Sequence, residues 1–157
     1  MSADLIFSIS QALTAYARCL DEDRLEDWPD FFADDCTYRI TSAQNMRDGY
    51  EASLIFLNSK GMVRDRVSAL RTANIYERQA YRHLIGQPFL VSQDGARVVS
   101  EAPFMVARIM RDGTTDLFAT GCYRDTWRLG AGGKVELIER IVICDSSHID
   151  TLLALPL

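Results

Sequence analysis

The N-terminal part of the chain carries two apolar stripes of helical period. Between residues 5 and 20 the apolar positions fall on one face of a 3.6-residue repeat, at Leu5, Ile6, Ile9, Leu13, Tyr16, Ala17 and Leu20. This spacing predicts an amphipathic helix over residues 5–20. Residues 24–32 predict a second, shorter helix whose shared face holds Leu25, Trp28, Phe31 and Phe32. Pro29 fits such a helix only in its first turn.

Residues 36–70 predict a short strand followed by a long helical region. Cys36–Thr41 has the composition of a strand, and Asp48 is a suitable cap for a helix that extends to about Leu70. The apolar stripe of this third helix would hold Leu54, Ile55, Leu57, Met62, Val63, Val67 and Leu70. Gly61 predicts a break or kink within it.

After Arg71 the pattern changes to that of strands. Four long strands are predicted, over residues 81–91, 97–110, 115–129 and 134–144. The turn signals between them are Asp94-Gly95, Asp112-Gly113 and Gly130–Gly133. Consecutive hairpins of this kind form an antiparallel, curled sheet. Pro103 lies within an otherwise regular strand and predicts an edge or a bulge at that position.

Two of these strands indicate how the sheet is covered. In strand 115–129 one side carries Leu117, Ala119, Gly121, Tyr123, Trp127 and Leu129, which predicts that this side faces the helices. Residues 141–144 are apolar at every position, so both faces of that strand need cover. Helices on one side of the sheet cannot provide it. An α+β cone of this kind either encloses a ligand pocket or lends its outer sheet face to a partner.

Composition narrows the function classes. The 157 residues, of which 48% are hydrophobic, suffice for an ordinary core, and residues 1–157 are predicted to form a single domain. A net charge of −5, without a basic run longer than two residues, argues against nucleic acid as a partner. The sequence has neither an apolar span of 18 residues nor a secretory signal, and we expect a soluble, cytoplasmic protein without membrane contact.

Histidine and cysteine, the residues that ligate iron in Rieske centres, are few in this chain. It has two histidines, His83 and His148, and four cysteines without a close pair, which are expected to be buried free thiols. A Rieske cluster needs two His and two Cys, and a mononuclear iron site needs two His and a carboxylate, so this chain could not hold both. Asp145 and Asp150 flank His148, but a solvated turn rich in Asp and Ser explains that segment better than a metal site does.

His83 is the main candidate for acid–base chemistry. It shares a predicted strand face with Tyr81 and Ile85, so it points to the interior or to an interface. In a cone-shaped fold it could act together with Tyr16, Asp35, Tyr38 and Tyr123. A hydrogen-bonded core or interface histidine explains the same position. The segment GAGGK is interpreted as a hairpin turn, and no Ser or Cys lies in a nucleophile elbow.

Arginines recur beside aromatic residues, a composition that is favoured at protein–protein interfaces. With this pattern the chain resembles, essentially from end to end, the small (β) subunits of bacterial aromatic-ring-hydroxylating dioxygenases. The segments that carry the resemblance are WPDFFADDCTYRI at 28–40, MVRDRVSALRTANIYERQAYRHLIGQP at 62–88, SEAPFMVARIMRDGTTDLFATGCYRDTW at 100–127 and LIERIVICDSSHIDTLLALPL at 137–157. Within the family these segments are most similar to terephthalate 1,2-dioxygenase small subunits, with those of salicylate 5-hydroxylase and anthranilate dioxygenase as close alternatives.

The resemblance implies both a fold and a partner. Members of the family adopt a cystatin-like, NTF2-like α+β cone, in which N-terminal helices pack on a strongly curved, mainly antiparallel sheet. They assemble with a large α subunit, usually as an α3β3 complex in which the β subunits form a trimer. The α subunit carries a Rieske [2Fe–2S] cluster and a mononuclear Fe(II), and it receives electrons from NAD(P)H through a separate reductase.

On this interpretation the chain is a structural, non-catalytic subunit without a cofactor or catalytic residue of its own. The predicted subunit-interface residues are Arg71, Tyr76, Arg78, Tyr81, Arg82 and His83, with Ile75 as a further apolar anchor. Two alternatives stay open: a free-standing NTF2-like lyase or isomerase with acid–base residues in the cone cavity, and a homotrimeric binding module without a redox partner. The aromatic acid, and the choice between dihydroxylation and monohydroxylation, depend on the α subunit.

Overall fold

In the computed structural model of the protein, residues 2–73, 76–148, 153 and 155–157 are described. The helices within these residues are α1 (Ala3–Asp21), α2 (Ala43–Asp48), α3 (Lys60–Thr72) and two short 3₁₀ helices, Leu25–Phe31 and Ala131–Gly133. The strands are β1 (Phe32–Ser42), β2 (Ile55–Leu57), β3 (Gln79–Ile85), β4 (Phe89–Asp94), β5 (Arg97–Met110), β6 (Thr115–Leu129) and β7 (Val135–Cys144).

The described strands form a mixed sheet that is mainly antiparallel. The strand order is β2-β1-β7-β6-β5-β3, and β4 pairs with β5 beside β3. β1 pairs parallel with β7, and the other pairings among these strands are antiparallel. Hairpins join β5 to β6 and β6 to β7, as the turn signals predict. The expected α+β architecture is confirmed, and the predicted bounds of β5 and β6 agree with the structure.

Helix α1 covers the inner face of this sheet. The Ser2 hydroxyl accepts a hydrogen bond from Leu5 N at 3.2 Å and so satisfies a free N–H at the start of the helix. The predicted apolar stripe is the buried one, with Ile9, Leu13 and Tyr16 in the core. On the sheet, period-two alternation buries Val98, Ser100, Ala102, Phe104 and Val106 of β5 against the helical layer.

The region predicted as one long third helix contains three separate elements. α2 ends at Asp48 because Gly49 adopts a left-handed conformation (φ +70°) that stops the helix, so Asp48 does not begin one. β2 follows, and α3 begins only after Ser59, whose hydroxyl accepts a hydrogen bond from Met62 N at 3.2 Å. Gly61 lies in the first turn of α3, and the predicted kink within a long helix is therefore wrong.

The strand predicted over residues 81–91 is interrupted between β3 and β4. A Cβ on Gly86 would lie 2.6 Å from Pro103 Cγ, and Pro88 has no N–H with which to continue a ladder. Pro103 faces this gap, where its carbonyl accepts a hydrogen bond from Gly86 N at 2.8 Å. Its missing N–H therefore removes no strand pairing, and the predicted local edge is confirmed.

Two smaller predictions also need correction. The predicted helix at residues 24–32 is a 3₁₀ helix with Pro29 in its interior instead of its first turn. In β6, the pairing with β5 skips Phe118 between Leu117 and Ala119, which marks a bulge. The extra residue Phe118 stacks on Tyr81 with ring centroids 5.3 Å apart, whereas Leu117, predicted to face the helices, is 59% exposed.

Candidate functional site

Aromatic side chains of the described residues pack together in the interior of the cone. Trp28, Phe32 and Tyr38 pack edge to face, with ring centroids 5.5, 5.2 and 6.0 Å apart. Tyr123 stacks on Phe104 at 4.4 Å, and all five residues are buried. Burial raises the pKa of Tyr38 and of Tyr123 well above the usual range. These tyrosines therefore keep their protons and act as packing groups.

The last residues of the sequence complete this interior. The Leu157 carbonyl accepts hydrogen bonds from the hydroxyls of Tyr16 and Tyr38, at 2.9 and 2.8 Å. The Leu157 N–H donates to the Tyr38 hydroxyl at 3.1 Å, and Arg66 Nη2 donates to the Leu153 carbonyl at 2.9 Å. Two hydroxyls that an acid–base site would need are thus already bound to the backbone of the same chain.

A fully buried ion pair lies in the same interior. Arg140 on β7 donates from Nε and Nη2 to the two carboxylate oxygens of Asp125 on β6, at 2.8 and 2.7 Å. Its guanidinium lies between the rings of Tyr16 and Tyr123, 4.0 and 4.1 Å from their centroids. Burial alone would lower the pKa of Arg140, but the charge and hydrogen bonds of Asp125 outweigh burial and raise it. The arginine is therefore charged, and the pair joins two neighbouring strands.

Sequence reasoning missed this pair, although one signal was available. Asp125 lies between Tyr123 and Trp127 in the period-two series that faces the helices. An acidic residue in an apolar, inward-facing series requires a buried partner. The identity of that partner follows only from the register, in which Asp125 lies directly opposite Arg140.

The residues of the acid–base hypothesis do not come together. His83 Nδ1 lies 2.6 Å from Asp21 Oδ1, and the Asp21 carboxylate also accepts the backbone N–H of His83 at 2.9 Å. Asp35 is exposed, and a hydrogen bond from Arg128 lowers its pKa. Tyr16 is buried against Leu157. His83 is thus a hydrogen-bonded core histidine, and the geometry contradicts a lyase or isomerase site built from these residues.

The six residues predicted for a subunit interface lie in different environments. Tyr81 and His83 are buried on the inner face of β3, so their side chains are not presented to a partner in this conformation. Partly or largely exposed are Tyr76, Arg78 and Arg82. The side chain of Arg82 is 72% exposed. Ile75 lies outside the described residues, and the interface assignment of the exposed residues stays a prediction.

Arg71, the remaining predicted interface residue, makes an extensive set of bonds within its own chain. Its guanidinium, at the end of α3, donates to the Glu26 carboxylate at 2.7 and 3.0 Å. It also donates to the Asp23 carboxylate at 3.0 Å and to the Asp23 carbonyl at 2.8 Å. The hydrogen bonds from Arg71 lower the pKa of Glu26. Arg71 therefore ties α3 to the segment that follows α1.

We expect the stability of Arg71→Gln to change less than that of the wild type when the pH falls into the acidic range. Because the folded-state pKa of Glu26 is depressed, its contribution to stability is present above the ordinary carboxyl pKa of about 4 and is lost as the pH falls below it. The stability difference between wild type and Arg71→Gln should shrink over that window. Urea unfolding at several pH values measures it, with Arg64→Gln, an exposed arginine of the same helix, as control. A difference that is constant with pH would contradict this explanation.

The outer sheet face carries much of the exposed apolar surface of the described chain. Leu84 on β3 lies opposite Met105 on β5, and both are exposed. One cross-strand row over β2, β1, β7, β6 and β5 consists of Phe56, Arg39, Ile141, Arg124 and Glu101. Ile141 and Ile143 remain partly exposed. Segment 141–144, which is apolar on both faces, is therefore fully covered only on its inner face.

The described residues contain neither a cluster of metal ligands nor a membrane-spanning helix. Among them, no three His, Cys, Asp or Glu side chains are grouped so that they could hold a metal ion. The cysteines are free thiols, and burial raises the pKa of Cys144 to about 12. His148 is exposed in a turn, while Asp150 lies outside the described residues. No helix in the described ranges has the length and apolar character needed to cross a bilayer.

Comparisons with known proteins agree on one family. A family profile for the ring hydroxylating beta subunit matches residues 15–151. The chain is 48% identical over 143 residues to subunit beta 1 of the terminal oxygenase component of terephthalate 1,2-dioxygenase from Comamonas sp., covering 91% of this chain and 92% of the relative. It is 36% identical over 151 residues to the anthranilate 1,2-dioxygenase small subunit of Burkholderia cepacia, covering 96% and 93%.

A solved structure supports the same assignment of fold. The β subunit assigned to an aromatic-ring-hydroxylating dioxygenase of Novosphingobium aromaticivorans superposes with a TM-score of 0.87 at 41% sequence identity. The superposition covers 96% of this chain and 95% of that subunit. The helices and the curved, mixed sheet described above are thus shared along nearly the whole of both chains.

Proposed function

Because the chain belongs to the family of ring-hydroxylating dioxygenase β subunits, we propose that it serves as a structural subunit while a separate large subunit carries out the chemistry. The observation that supports this proposal is the close packing of the described residues in the interior of the cone. Aromatic side chains, the Arg140–Asp125 pair and Leu157 occupy the space in which a free-standing enzyme of this shape would need a pocket. The function that remains for the chain is to hold and orient a partner.

The iron centres of the oxygenase are expected on the large subunit. We propose that it carries a Rieske [2Fe–2S] cluster and a mononuclear Fe(II), supplied with electrons from NAD(P)H by a separate reductase. The described residues of this chain do not fit either centre. His83 is already bound to Asp21 in the core, and His148 is exposed without two further ligands among the described residues.

The proposed substrate of the complex is an aromatic acid of the terephthalate type. The support is the 48% identity to a subunit named for terephthalate dioxygenation. The proposed assembly is α3β3 with a trimer of this chain, and it is expected to work in the cytoplasm. Exposed outer-face residues such as Leu84 and Arg82 are available for its contacts.

Co-expression with the large subunit tests the proposed function. The chain expressed alone should bind no iron, show no visible absorption and leave oxygen uptake at background. Together with the large subunit it should co-purify and support oxygen uptake that depends on an aromatic acid and on reductase. A Rieske spectrum in stoichiometric amount from the isolated chain would refute the proposal, as would a fully active large subunit that never binds this chain.

A further inference from the structure

Two exposed apolar patches lie at opposite edges of the sheet. The edge patch consists of Tyr50, Glu51, Leu54 and Phe56, on β2 and the loop before it, and its three apolar side chains are each more than half exposed. The pocket patch consists of Arg82, Leu84, Pro103, Met105 and Leu117, on β3, β5 and β6, and both of its leucines are more than half exposed. β2 begins the strand order and β3 ends it, so the two patches are far apart in the sheet.

The strand residues of both patches point to the outer face of the sheet. Neighbouring residues of a strand point to opposite faces. Leu57 and His83 are buried on the inner face, so their neighbours Phe56 and Leu84 point outward. Exposed apolar patches at two edges of one sheet are typical of surfaces that become covered by a protein partner.

The two patches differ in shape. Three residues of the pocket patch, Leu84, Pro103 and Met105, line a surface cavity of about 390 Å³ together with Ile85, Gly86 and Phe104. A volume of this size lies within the range of roughly 300–1,000 Å³ that holds small organic ligands, so it can take an aromatic ring. The edge patch presents such rings, since Tyr50 and Phe56 project from a short edge strand and its loop.

The two patches also differ in charge. Within the described residues Glu51 has no ion-pair partner, and it is exposed beside Tyr50. Arg82 makes one long ion pair, 3.8 Å from Nη1 to Asp21 Oδ2, and its side chain is 72% exposed, while Asp21 is already bound to the ring and the backbone of His83. The edge patch therefore carries an available negative charge, and the pocket patch an available positive one.

We propose that the edge patch of one copy packs into the pocket patch of the next copy, with Phe56 in the cavity and Glu51 beside Arg82. A second copy of the chain is the partner that fits, because the chain itself carries both the exposed aromatic side chain and the cavity that can take it, together with opposite charges beside them. Since the two surfaces are different, the contact is heterologous and repeats from copy to copy until a ring closes. This inference rests on the proposed assembly of several copies in one oxygenase and names the surfaces that join them.

Complementary variants test the contact. Phe56→Glu removes the edge patch and Leu84→Glu removes the pocket patch, and each alone should weaken self-association at least tenfold. A mixture of the two variants keeps one intact contact, between the Leu84→Glu edge and the Phe56→Glu pocket, and should give a two-chain complex that cannot close. Native mass spectrometry and light scattering measure the copy number, on the isolated chain and on its complex with the large subunit. Phe7→Glu, on the exposed side of α1, is the control.

A charge exchange separates this proposal from the proposed function. Arg82→Glu should weaken association between copies, and adding Glu51→Arg in the same chain should restore it, because the two residues meet across the contact. Restoration supports contact between copies. The proposal is overturned if the double variant Arg82→Glu with Glu51→Arg stays dissociated. It is also overturned if Phe56→Glu or Leu84→Glu alone assembles as wild type does, or if the mixture of these two variants forms complete rings. Loss of binding to the large subunit with an unchanged copy number would also overturn it, although the proposed function would stand.

Discussion

Replacing Arg140 by Met should lower the free energy of unfolding by about 3–5 kcal/mol, because it leaves the Asp125 carboxylate buried without its partner. Both side chains are inaccessible to solvent, at 0% and 1% exposure, so water cannot replace the lost hydrogen bonds. The variant also loses the stacking of the guanidinium between Tyr16 and Tyr123. Urea unfolding followed by circular dichroism measures the change.

The control for this prediction is the same substitution on the same sheet. Arg124→Met removes an arginine whose ion pair with Glu101 is exposed on the outer face, and it should cost no more than about 1 kcal/mol. The double variant Asp125→Leu with Arg140→Met removes both charges and should be more stable than Arg140→Met alone. Equal losses for Arg140→Met and Arg124→Met would show that the buried pair contributes nothing special to the fold.

Gly121→Ala should destabilise the protein by roughly 3 kcal/mol or more, because the neighbouring strand leaves no room for a Cβ. A Cβ at this position would lie 2.0 Å from the Ile143 carbonyl oxygen and 3.0 Å from Cys144 Cα. Both obstacles are backbone atoms of β7, so relief requires the two strands to separate. Thermal and urea unfolding should show a lower midpoint, and the soluble yield should fall.

A second glycine provides the matched comparison. Gly61 lies in the first turn of α3, where an added Cβ would meet only the Ser59 hydroxyl oxygen at an ordinary 3.6 Å. Gly61→Ala should be neutral or slightly stabilising, since alanine has the higher helix propensity. If Gly121→Ala unfolds at the same urea concentration as Gly61→Ala, the close approach of β6 and β7 does not restrict this position.

The contrast between the regions that were predicted well and those that were not has a physical basis. β5 and β6 are bounded by Asp-Gly turns and by the glycine-rich turn at 130–133, and both strands show apolar alternation. These signals act locally, so the limits of the strands could be read from the residues. The third helical region was misjudged because its apolar residues fit a helix and a short strand equally well. The Gly49 stop and the Ser59 cap decide between them.

The same contrast applies to the candidate site. An interior role for His83 was one of two explanations for its strand position, and the structure selects it through Asp21, which is 62 positions away in the sequence. The sequence pattern places Arg71 among the predicted interface residues because of its neighbours along the chain. Its bonds to Asp23 and Glu26 form only when α3 packs beside the end of α1.

By itself, the sequence determined the helical face of residues 5–20, the long hairpins, the small number of histidines and the family, because each depends on local spacing or on residue identity. Only the tertiary structure decided that Asp125 meets Arg140, that Leu157 closes the aromatic interior, and that Leu117 turns outward at a bulge. These outcomes depend on strand register and on the packing of distant segments. A shift of one residue in register would exchange the inner and outer faces of a strand without changing a single letter of the sequence.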